Sequence, residues 1–199
     1  RMVRDVPFDT LIVTTRDRFH SDYIVKGLKA GKNVITEKPM TIDEKRCHAI
    51  LDAEKKSKKK VTVTFNYRWA PPATMIHDLV QSGEIGDVVT VDMHWPLDLI
   101  HGASYFRRWH SPRECSGGLQ IHKSTHHFDL VNWIIGDTPE KVSAQGGLDF
   151  YGKAGPFRND KCRGCPHRAK CQFYIDIRNW EFNNKFYIPA EKETGYIFD

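Results

Sequence analysis

The sequence predicts an α/β region followed by an α+β region, and two patterns support this division. Over residues 8–65, short apolar strands alternate with amphipathic helices across short links, which implies a parallel, right-handed sheet. After residue 86, apolar residues alternate with period two, as in a half-exposed antiparallel strand. We therefore expect two domains, residues 1–85 and residues 86–199, the second built on an open-faced, mostly antiparallel sheet.

In the first region the elements follow one another closely. FDTLIVTT is typical of a buried strand, HSDYIVKGLKAG of an amphipathic helix that ends at Gly31, and NVIT of a second strand. Thr41, with Glu44 three positions later, predicts a helix that begins with a capping box. VTVTFNY then predicts a third strand.

Ligands of parallel α/β sheets bind beyond the carboxyl ends of the strands. Three segments of this chain follow predicted strands: Thr15 to His20, Glu37 to Pro39, and Asn66 to Arg68. Lys38 is therefore expected at the edge of the sheet where ligands collect, and not on an arbitrary loop.

The second region is predicted to contain two strands and one helix. DVVTVDMHWPLDL and the stretch around EKVSAQGGL are the predicted strands, and the helix runs from about Gly118 to Ile135. On that helix His122, His126 and Asp129 form a polar stripe at i, i+4 and i+7. Such a stripe is either a solvated face or an acid–base site, because histidine titrates near neutral pH.

Two further features of this helix are unusual. Lys123 falls on its apolar side, where an unpaired ammonium is costly. The two histidines at i, i+4 can share a metal ion, but H-x-x-x-H without an internal Glu is weak evidence for catalytic zinc.

The composition excludes several classes of protein. The chain has 199 residues, 40% hydrophobic and 28% charged, and its net charge of +5 is scattered, so we expect no nucleic-acid partner. No apolar stretch is long enough to span a membrane and no secretory signal is visible, so we expect no membrane association and a cytoplasmic location. The chain opens almost directly in a strand, and we expect it to begin inside a longer protein.

A Cys-rich loop is predicted at residues 160–173. Cys162, Cys165 and Cys171 are spaced C-x2-C-x5-C, and C-x2-C in a turn with Gly and Pro is typical of half of a structural zinc site. Three thiolates need a fourth ligand, which the spacing does not identify. A structural metal (zinc or an iron–sulfur cluster), free thiols and a disulfide remain the three interpretations.

Two stretches of the chain match longer motifs. TTRDRFHSDYIVKGLKAGKNVITEKP is similar to the run T-P-N-x-x-H … A-G-K-x-V-x-x-E-K-P, and GGLQIHKSTHHFD is similar to G-G-x-x-x-D-x-x-x-H-x-x-D. Together they resemble the glucose–fructose oxidoreductase / inositol dehydrogenase / MocA-like (Gfo/Idh/MocA) family of NAD(P)-dependent oxidoreductases. The resemblance covers about residues 8–148. It implies the C-terminal part of a Rossmann-like parallel sheet, followed by a substrate and oligomerisation domain.

The resemblance also implies roles for individual residues. Lys38 and His126 align with the catalytic pair: the imidazole takes the proton of a hydroxyl while hydride passes to the nicotinamide, and Lys38 holds the same oxygen. The resemblance further implies a cis bond before Pro39. The resemblance places five residues along the dinucleotide: Thr14, Thr15, Arg16, His20 and Glu37. Lys38 and Asn66, which follow predicted strands, are further candidate cofactor-binding residues.

The chain departs from the family pattern at the second motif. His122 stands where most members have Asp, Lys123 stands where most have a small residue, and Trp109 is followed by His110 instead of Arg. We therefore include His122 and Lys123 among the candidate catalytic residues, with Lys123 able to share the role of Lys38.

The resemblance implies a dehydrogenase acting on a CH–OH group of a sugar, polyol or sugar derivative with NAD or NADP. The resemblance implies that the residue that separates the two cofactors lies upstream of this chain, and without it we do not expect the chain to hold a dinucleotide tightly. A homo-oligomer, dimer or tetramer, is expected through the open sheet. Donors and aromatic faces suited to a carbohydrate-like substrate come from Tyr67, Arg68, Arg108 and Trp109, and Asp129 is a further candidate substrate-binding residue.

Two alternatives keep the fold but change the function. One is an NAD-dependent glycosidase that uses transient C3 oxidation and elimination, so that the cofactor is not consumed. The other is a non-catalytic binding or scaffold protein, because a fold alone does not secure a function.

Overall fold

The computed structural model describes residues 2–106, 109–151, 155–157, 159, 162–179, 185, 188–189 and 191–193. The chain forms two compact units. One comprises Arg1–Met93 with Pro112–Val142, and the other comprises His94–Ser111 with Ser143–Asp199. Residues 112–142 thus pack with the first unit, and the predicted domain boundary after residue 85 stays a prediction.

The first unit contains a parallel sheet of three strands in the order β1 (Thr10–Val13), β2 (Asn33–Glu37) and β3 (Val61–Thr64). Helix α2 (Asp17–Lys29) connects β1 to β2, and α3 (Glu44–Ser57) connects β2 to β3. A short helix α1 (Met2–Asp5) precedes them. The predicted parallel α/β sheet is therefore confirmed.

Burial explains why these segments form this sheet. The apolar residues of the strands alternate with the pleat, and those that face the helices form the core with residues of α2 and α3. The buried core members are Leu11, Val13, Ile24, Leu28, Val34, Ile50 and Ala53. The predicted stop of α2 is confirmed: the helix ends at Lys29, and the Gly31 N–H donates to the Leu28 carbonyl at 2.9 Å.

The start of α3 differs from the prediction. The N-cap is Asp43, whose side chain accepts a hydrogen bond from the Arg46 N–H at 2.8 Å, and the helix begins at Glu44. The capping box predicted from Thr41 is therefore wrong. A short carboxylate directly before the helix satisfies one of its free N–H groups, so a more distant hydroxyl is not needed as the cap. Thr41 is buried, and its hydroxyl has no hydrogen-bond partner among the described residues.

The other regular elements of the first unit are helical. A 3-10 turn (Asn66–Trp69) follows β3 and leads into α4 (Pro71–Gln81), and α6 (Arg113–Ser116) and α7 (Leu119–His122) precede α8 (Thr125–Ile135). The helix predicted from Gly118 to Ile135 is thus two helices. Lys123 and Ser124 interrupt it, and α8 restarts with the His127 N–H bonded to the Ser124 carbonyl at 3.0 Å. Ser and Thr at 124–125 are weak helix formers, which favours a break here.

The second predicted sheet is not confirmed. Residues 87–98 and 139–148 have no regular secondary structure, although alternation predicted strands in both. Period-two alternation indicates that one face of a segment is exposed to solvent. A strand also needs a hydrogen-bonded neighbouring strand, and alternation does not show whether one is present.

The second unit contains α5 (Leu99–Ser104), a 3-10 turn (Ile177–Asn179) and an aromatic cluster. In this cluster the rings of Phe106 and Tyr151 stack at 4.5 Å, and Phe173 lies 5.1 Å from Phe150 and 5.3 Å from Tyr151. Within the described ranges, no helix has both the length and the apolar character that crossing a membrane requires.

Candidate functional site

Lys38 lies directly after β2, at the carboxyl edge of the sheet. The peptide bond to the buried Pro39 is cis, as the resemblance implied. The half-buried Lys38 side chain extends to α7, where its ammonium Nζ donates to the His122 carbonyl at 2.6 Å. This hydrogen bond gives the Lys38 side chain a defined position.

Glycine makes the close approach of α7 possible. Gly117 lies just before α7 with φ 76, and a Cβ there would lie 2.7 Å from the Ile42 carbonyl oxygen. Any side chain at 117 would push the α6–α7 turn away from the loop that follows β2. The position of the His122 carbonyl over Lys38 depends on this turn.

The charge on Lys38 is set by opposing influences. Burial lowers the pKa of its ammonium most strongly, while the negative charge of Asp17 opposes this. Lys123 lowers the pKa further, and Glu37 raises it. Lys38 is thus a lysine of lowered pKa on a ligand-binding edge, a combination typical of functional sites.

His20 fixes the loops around Lys38. Its imidazole is fully buried, with Nδ1 2.8 Å from the Pro39 carbonyl and Nε2 2.8 Å from the Thr15 carbonyl. The ring therefore ties the loop after β1 to the loop after β2. Because both ring nitrogens contact main-chain oxygens, we infer that His20 holds the two loops in place.

Asp17 reaches the same place from the first turn of α2. It is buried, and its Oδ2 lies 2.5 Å from Nδ1 of His122. Since a carboxylate only accepts hydrogen bonds, Nδ1 of His122 is the donor. Sequence reasoning missed Asp17, because nothing local links positions 17 and 122.

His126 occupies the other side of the site, on α8. It is buried, and its ring stacks on that of Tyr67 at 4.0 Å with an interplanar angle of 8°. Burial, followed by the charges of Lys38 and Lys123, lowers the pKa of His126 to about 4. Its Nδ1 is buried without a hydrogen-bond partner among the described residues. A neutral imidazole with an unmet polar atom can accept a proton or a hydrogen bond from a ligand.

Lys123 is buried at 6% exposure, as its position on the apolar side predicted. Its ammonium donates to the Tyr67 hydroxyl at 2.9 Å. This contact explains how the buried charge is tolerated, because the break between α7 and α8 turns the side chain towards a polar partner.

Arg68 and Asp129 form a separate pair. Nε of Arg68 donates to Oδ2 of Asp129 at 2.8 Å, and Nη2 donates to Oδ1. The predicted stripe of His122, His126 and Asp129 is therefore not one solvated face, since each of the two ends pairs with a different element. The bidentate pair connects α8 to the 3-10 turn after β3.

The other predicted site residues divide into three groups. The structure places exposed side chains at the carboxyl ends of the strands: Thr14, Thr15, Arg16, Glu37 and Asn66. Trp109 belongs to the second unit, where its ring lies 5.2 Å from that of His110. Arg108 lies outside the described residues.

The metal interpretation of the Cys-rich loop is not supported. Cys162, Cys165 and Cys171 are half-buried, and none of them forms a disulfide bond among the described residues. Among the described residues, no three side chains of His, Cys, Asp or Glu come together in a way that could hold a metal ion, at 162–171 or at His122 and His126. A tetrahedral site needs four converging donors, and sequence spacing alone does not make them converge.

Taken together, the first unit brings an ammonium, a neutral imidazole and a phenol to the carboxyl edge of the parallel sheet. Lys38 can donate to an oxygen that gains negative charge, and His126 can receive a proton. The exposed polar groups at the strand ends provide donors of the kind that a dinucleotide needs at this edge.

Family models match most of the chain. Residues 1–65 match the NAD-binding Rossmann fold of an oxidoreductase family, and residues 77–184 match the C-terminal alpha/beta domain of the same family. The second match alone covers more than half of the chain.

Individual proteins are also similar. YteT of Bacillus subtilis (strain 168), named as an oxidoreductase, is 46% identical over 179 residues, which cover 87% of this chain and 42% of that protein. Inositol 2-dehydrogenase of Rhizobium meliloti (strain 1021) is 29% identical over 140 residues, which cover 70% of this chain and 40% of that protein. The solved structure of scyllo-inositol dehydrogenase from Lactobacillus casei has a TM-score of 0.54 at 26% identity, over 68% of this chain and 38% of that one. The chain spans less than half the length of these relatives.

Proposed function

Because the chain belongs to the Gfo/Idh/MocA oxidoreductase family, whose N-terminal domain is an NAD-binding Rossmann fold, we propose that it is a nicotinamide-dependent oxidoreductase. In this proposal a hydride moves to or from the CH–OH carbon of a sugar, polyol or sugar derivative. The observation that carries it is the joint position of Lys38 and His126 at the ligand edge of the sheet.

The residues at this edge fit a nicotinamide cofactor. Exposed groups follow all three strands, and the buried Nδ1 of His126 has no hydrogen-bond partner among the described residues. The residues that would hold NAD or NADP are Thr14, Thr15, Arg16, Glu37 and Asn66. When bound, the nicotinamide supplies the acceptor or donor of the hydride.

Two side chains handle the proton and the charge. His126 is neutral over most of the pH range because burial lowers its pKa to about 4, so it can remove the hydroxyl proton of the substrate. The Lys38 ammonium has three N–H donors, of which the His122 carbonyl takes one. A remaining N–H can donate to the substrate oxygen as negative charge develops there.

Polar and aromatic side chains suit a polyhydroxylated substrate. Tyr67 is held by Lys123 and stacks on His126, so its position is fixed. Arg68 is held by Asp129, and its guanidinium carbon lies 5.7 Å from the ring centre of Phe65 and 5.6 Å from that of Trp133. The inositol dehydrogenases among the relatives support a cyclic polyol as the first substrate to test.

The second domain belongs to the same proposal. We place the dinucleotide-binding part at residues 1–85 and the substrate part from residue 86, with an open, mostly antiparallel sheet that forms a homo-oligomer. Size-exclusion chromatography with light scattering tests the oligomer: a monomer at micromolar concentration would contradict it.

The test of the activity uses this chain in its complete natural form. Binding of NAD and NADP is measured by calorimetry, and a panel of inositols, aldoses and sugar acids is assayed at the nicotinamide absorbance. Turnover on at least one hydroxyl substrate is expected. Release of an aglycone without net change in nicotinamide would favour the glycosidase, and failure to bind either cofactor would refute the proposal.

A further inference from the structure

Asp17 is a buried carboxylate that contacts His122, one of the candidate catalytic residues. It lies in the first turn of α2, where the positive end of the helix dipole favours a negative charge. Its side chain is only 5% exposed, so its charge acts through protein and is weakly screened by salt.

A continuous path of contacts leads from Asp17 to Lys38. Oδ2 of Asp17 accepts from Nδ1 of His122 at 2.5 Å, and the His122 carbonyl accepts from Nζ of Lys38 at 2.6 Å. The orientation of the His122 residue therefore depends on Asp17, and the position of the Lys38 ammonium depends on His122.

The charges around Lys38 point to the same residue. Its neighbours are the cation Lys123, the imidazoles of His122 and His126, the exposed Glu37 and the buried Asp17. Burial and Lys123 both disfavour a charged Lys38, and Asp17 is the strongest influence in the opposite direction. Glu37 acts in the same direction as Asp17 but more weakly.

The sequence motifs show an exchange at these two positions. The family runs that the chain resembles have Asn at the position of Asp17 and Asp at the position of His122. In this chain the carboxylate stands on α2 and the imidazole on α7.

We propose that Asp17 is a positioning residue for this site: it orients His122 and supplies the negative charge that the half-buried Lys38 ammonium requires. This inference rests on the proposed function, in which Lys38 must be protonated to donate to the reacting oxygen. It adds a residue that touches neither substrate nor reacting atoms but acts through Lys38 and His122.

The test compares Asp17→Asn with Asp22→Asn in the complete natural protein. Asp22 lies on the same helix but is exposed, so its variant controls for the loss of one aspartate. The pKa of the Lys38 ammonium is measured by NMR of isotope-labelled lysine side chains, with the signal assigned from a Lys38→Arg variant. This readout needs no turnover.

The expected result is a pKa of Lys38 lowered by about one unit or more in Asp17→Asn, the size usual for the loss of a nearby opposite charge. Asp22→Asn should leave it unchanged. If the protein turns over substrate, the alkaline limb of kcat/KM should move to lower pH by the same amount, because Lys38 loses its proton earlier. Asp17→Glu should restore most of this shift, since it keeps the charge.

An unchanged Lys38 titration in folded Asp17→Asn would overturn the inference, even if activity fell. Should Asp17→Asn not fold, Asp17→Ser offers a smaller neutral acceptor for the same comparison. The outcome stays separate from the proposed function: a wild-type protein without nicotinamide-dependent turnover refutes that function, while the NMR titration still decides the role of Asp17.

Discussion

The candidate site has a sheet side and a helical side, and different structural features position the residues of each. On the sheet side, Lys38 follows a buried strand, and its position is set by the register of β1, β2 and β3. On the helical side, Lys123 lies in the interruption between α7 and α8, and His126 lies in the first turn of α8. The sheet side is therefore a product of regular structure, and the helical side is a product of a break in it.

The two lysines differ accordingly. Lys38 is half-buried and donates to a main-chain carbonyl, whereas Lys123 is buried and donates to the Tyr67 hydroxyl. The hydrogen bond to the His122 carbonyl holds the Lys38 ammonium at the carboxyl edge of the sheet. The hydrogen bond to the Tyr67 hydroxyl holds Lys123 against the ring that stacks on His126. We infer that Lys38 acts on the substrate and that Lys123 acts mainly on its neighbours.

The largest effect is expected on the helical side, from His126→Asn. If His126 receives the substrate proton, kcat/KM should fall by roughly 10³-fold, as is usual for loss of a general base. His127→Asn, which changes the next imidazole of α8, is the matched control and should change kcat/KM by less than about threefold, as changes outside the reacting groups usually do. Equal losses in both variants would mean that α8 was perturbed as a whole.

The pH profile sharpens this prediction. His126 can accept a proton only when neutral, and its pKa is lowered from 6.5 to about 4 by burial and by the charges of Lys38 and Lys123. The activity of the free enzyme should therefore persist as the pH falls below 6.5 and be lost only near pH 4. An acid limb of kcat/KM at pH 6.5 would contradict the buried, neutral imidazole.

The next effect tests the sheet side through Lys38→Ala. Loss of one preorganised donor to the reacting oxygen should lower kcat/KM by about 10²-fold or more. Lys38→Arg should restore little, because a planar guanidinium cannot replace a compact ammonium at one oxygen. Lys45→Ala, at an exposed position of α3, is the control. Wild-type turnover in folded Lys38→Ala would transfer the role to Lys123.

A smaller effect is expected from Lys123→Met, which keeps the length of the buried side chain but removes its charge. We expect a loss of about tenfold in kcat/KM, comparable to one charge-assisted hydrogen bond. Because Lys123 lowers the pKa of both His126 and Lys38, both limbs of the pH profile should move to higher pH. A pH profile that is unchanged in Lys123→Met would show that the charge of Lys123 does not influence the pKa of Lys38 or of His126.

The comparison also explains what sequence could predict. The strands, their parallel order and the edge that carries Lys38 follow from local apolar patterns, which report which face of each element is buried. The contact between Asp17 and His122 joins positions 105 apart, and no local period reports it. The same holds for Lys123 and Tyr67, which are 56 positions apart.

The predicted antiparallel strands are not confirmed, for a related reason. The segments 87–98 and 139–148 alternate as strands do, but alternation describes one surface and not a pairing partner. The spacing of the three cysteines likewise described a chemical type without bringing ligands together among the described residues. In each case the missing information is a contact between distant parts of the chain.

The smallest effect concerns the first turn after the sheet edge, where the predicted cap and the observed cap differ. Asp43→Ala removes the side chain that accepts from the Arg46 N–H, and it should lower the free energy of unfolding by about 1 kcal/mol, as loss of an N-cap usually does. Thr41→Val replaces a buried hydroxyl that has no partner among the described residues with a methyl group, so it should be neutral or slightly stabilising. Urea denaturation of the two variants measures both values, with the slope of the transition as a check that both variants expose the same surface. A larger loss from Thr41→Val than from Asp43→Ala would restore the hydroxyl as the cap of α3 and would show that the loop carrying Lys38 is held to this helix by Thr41.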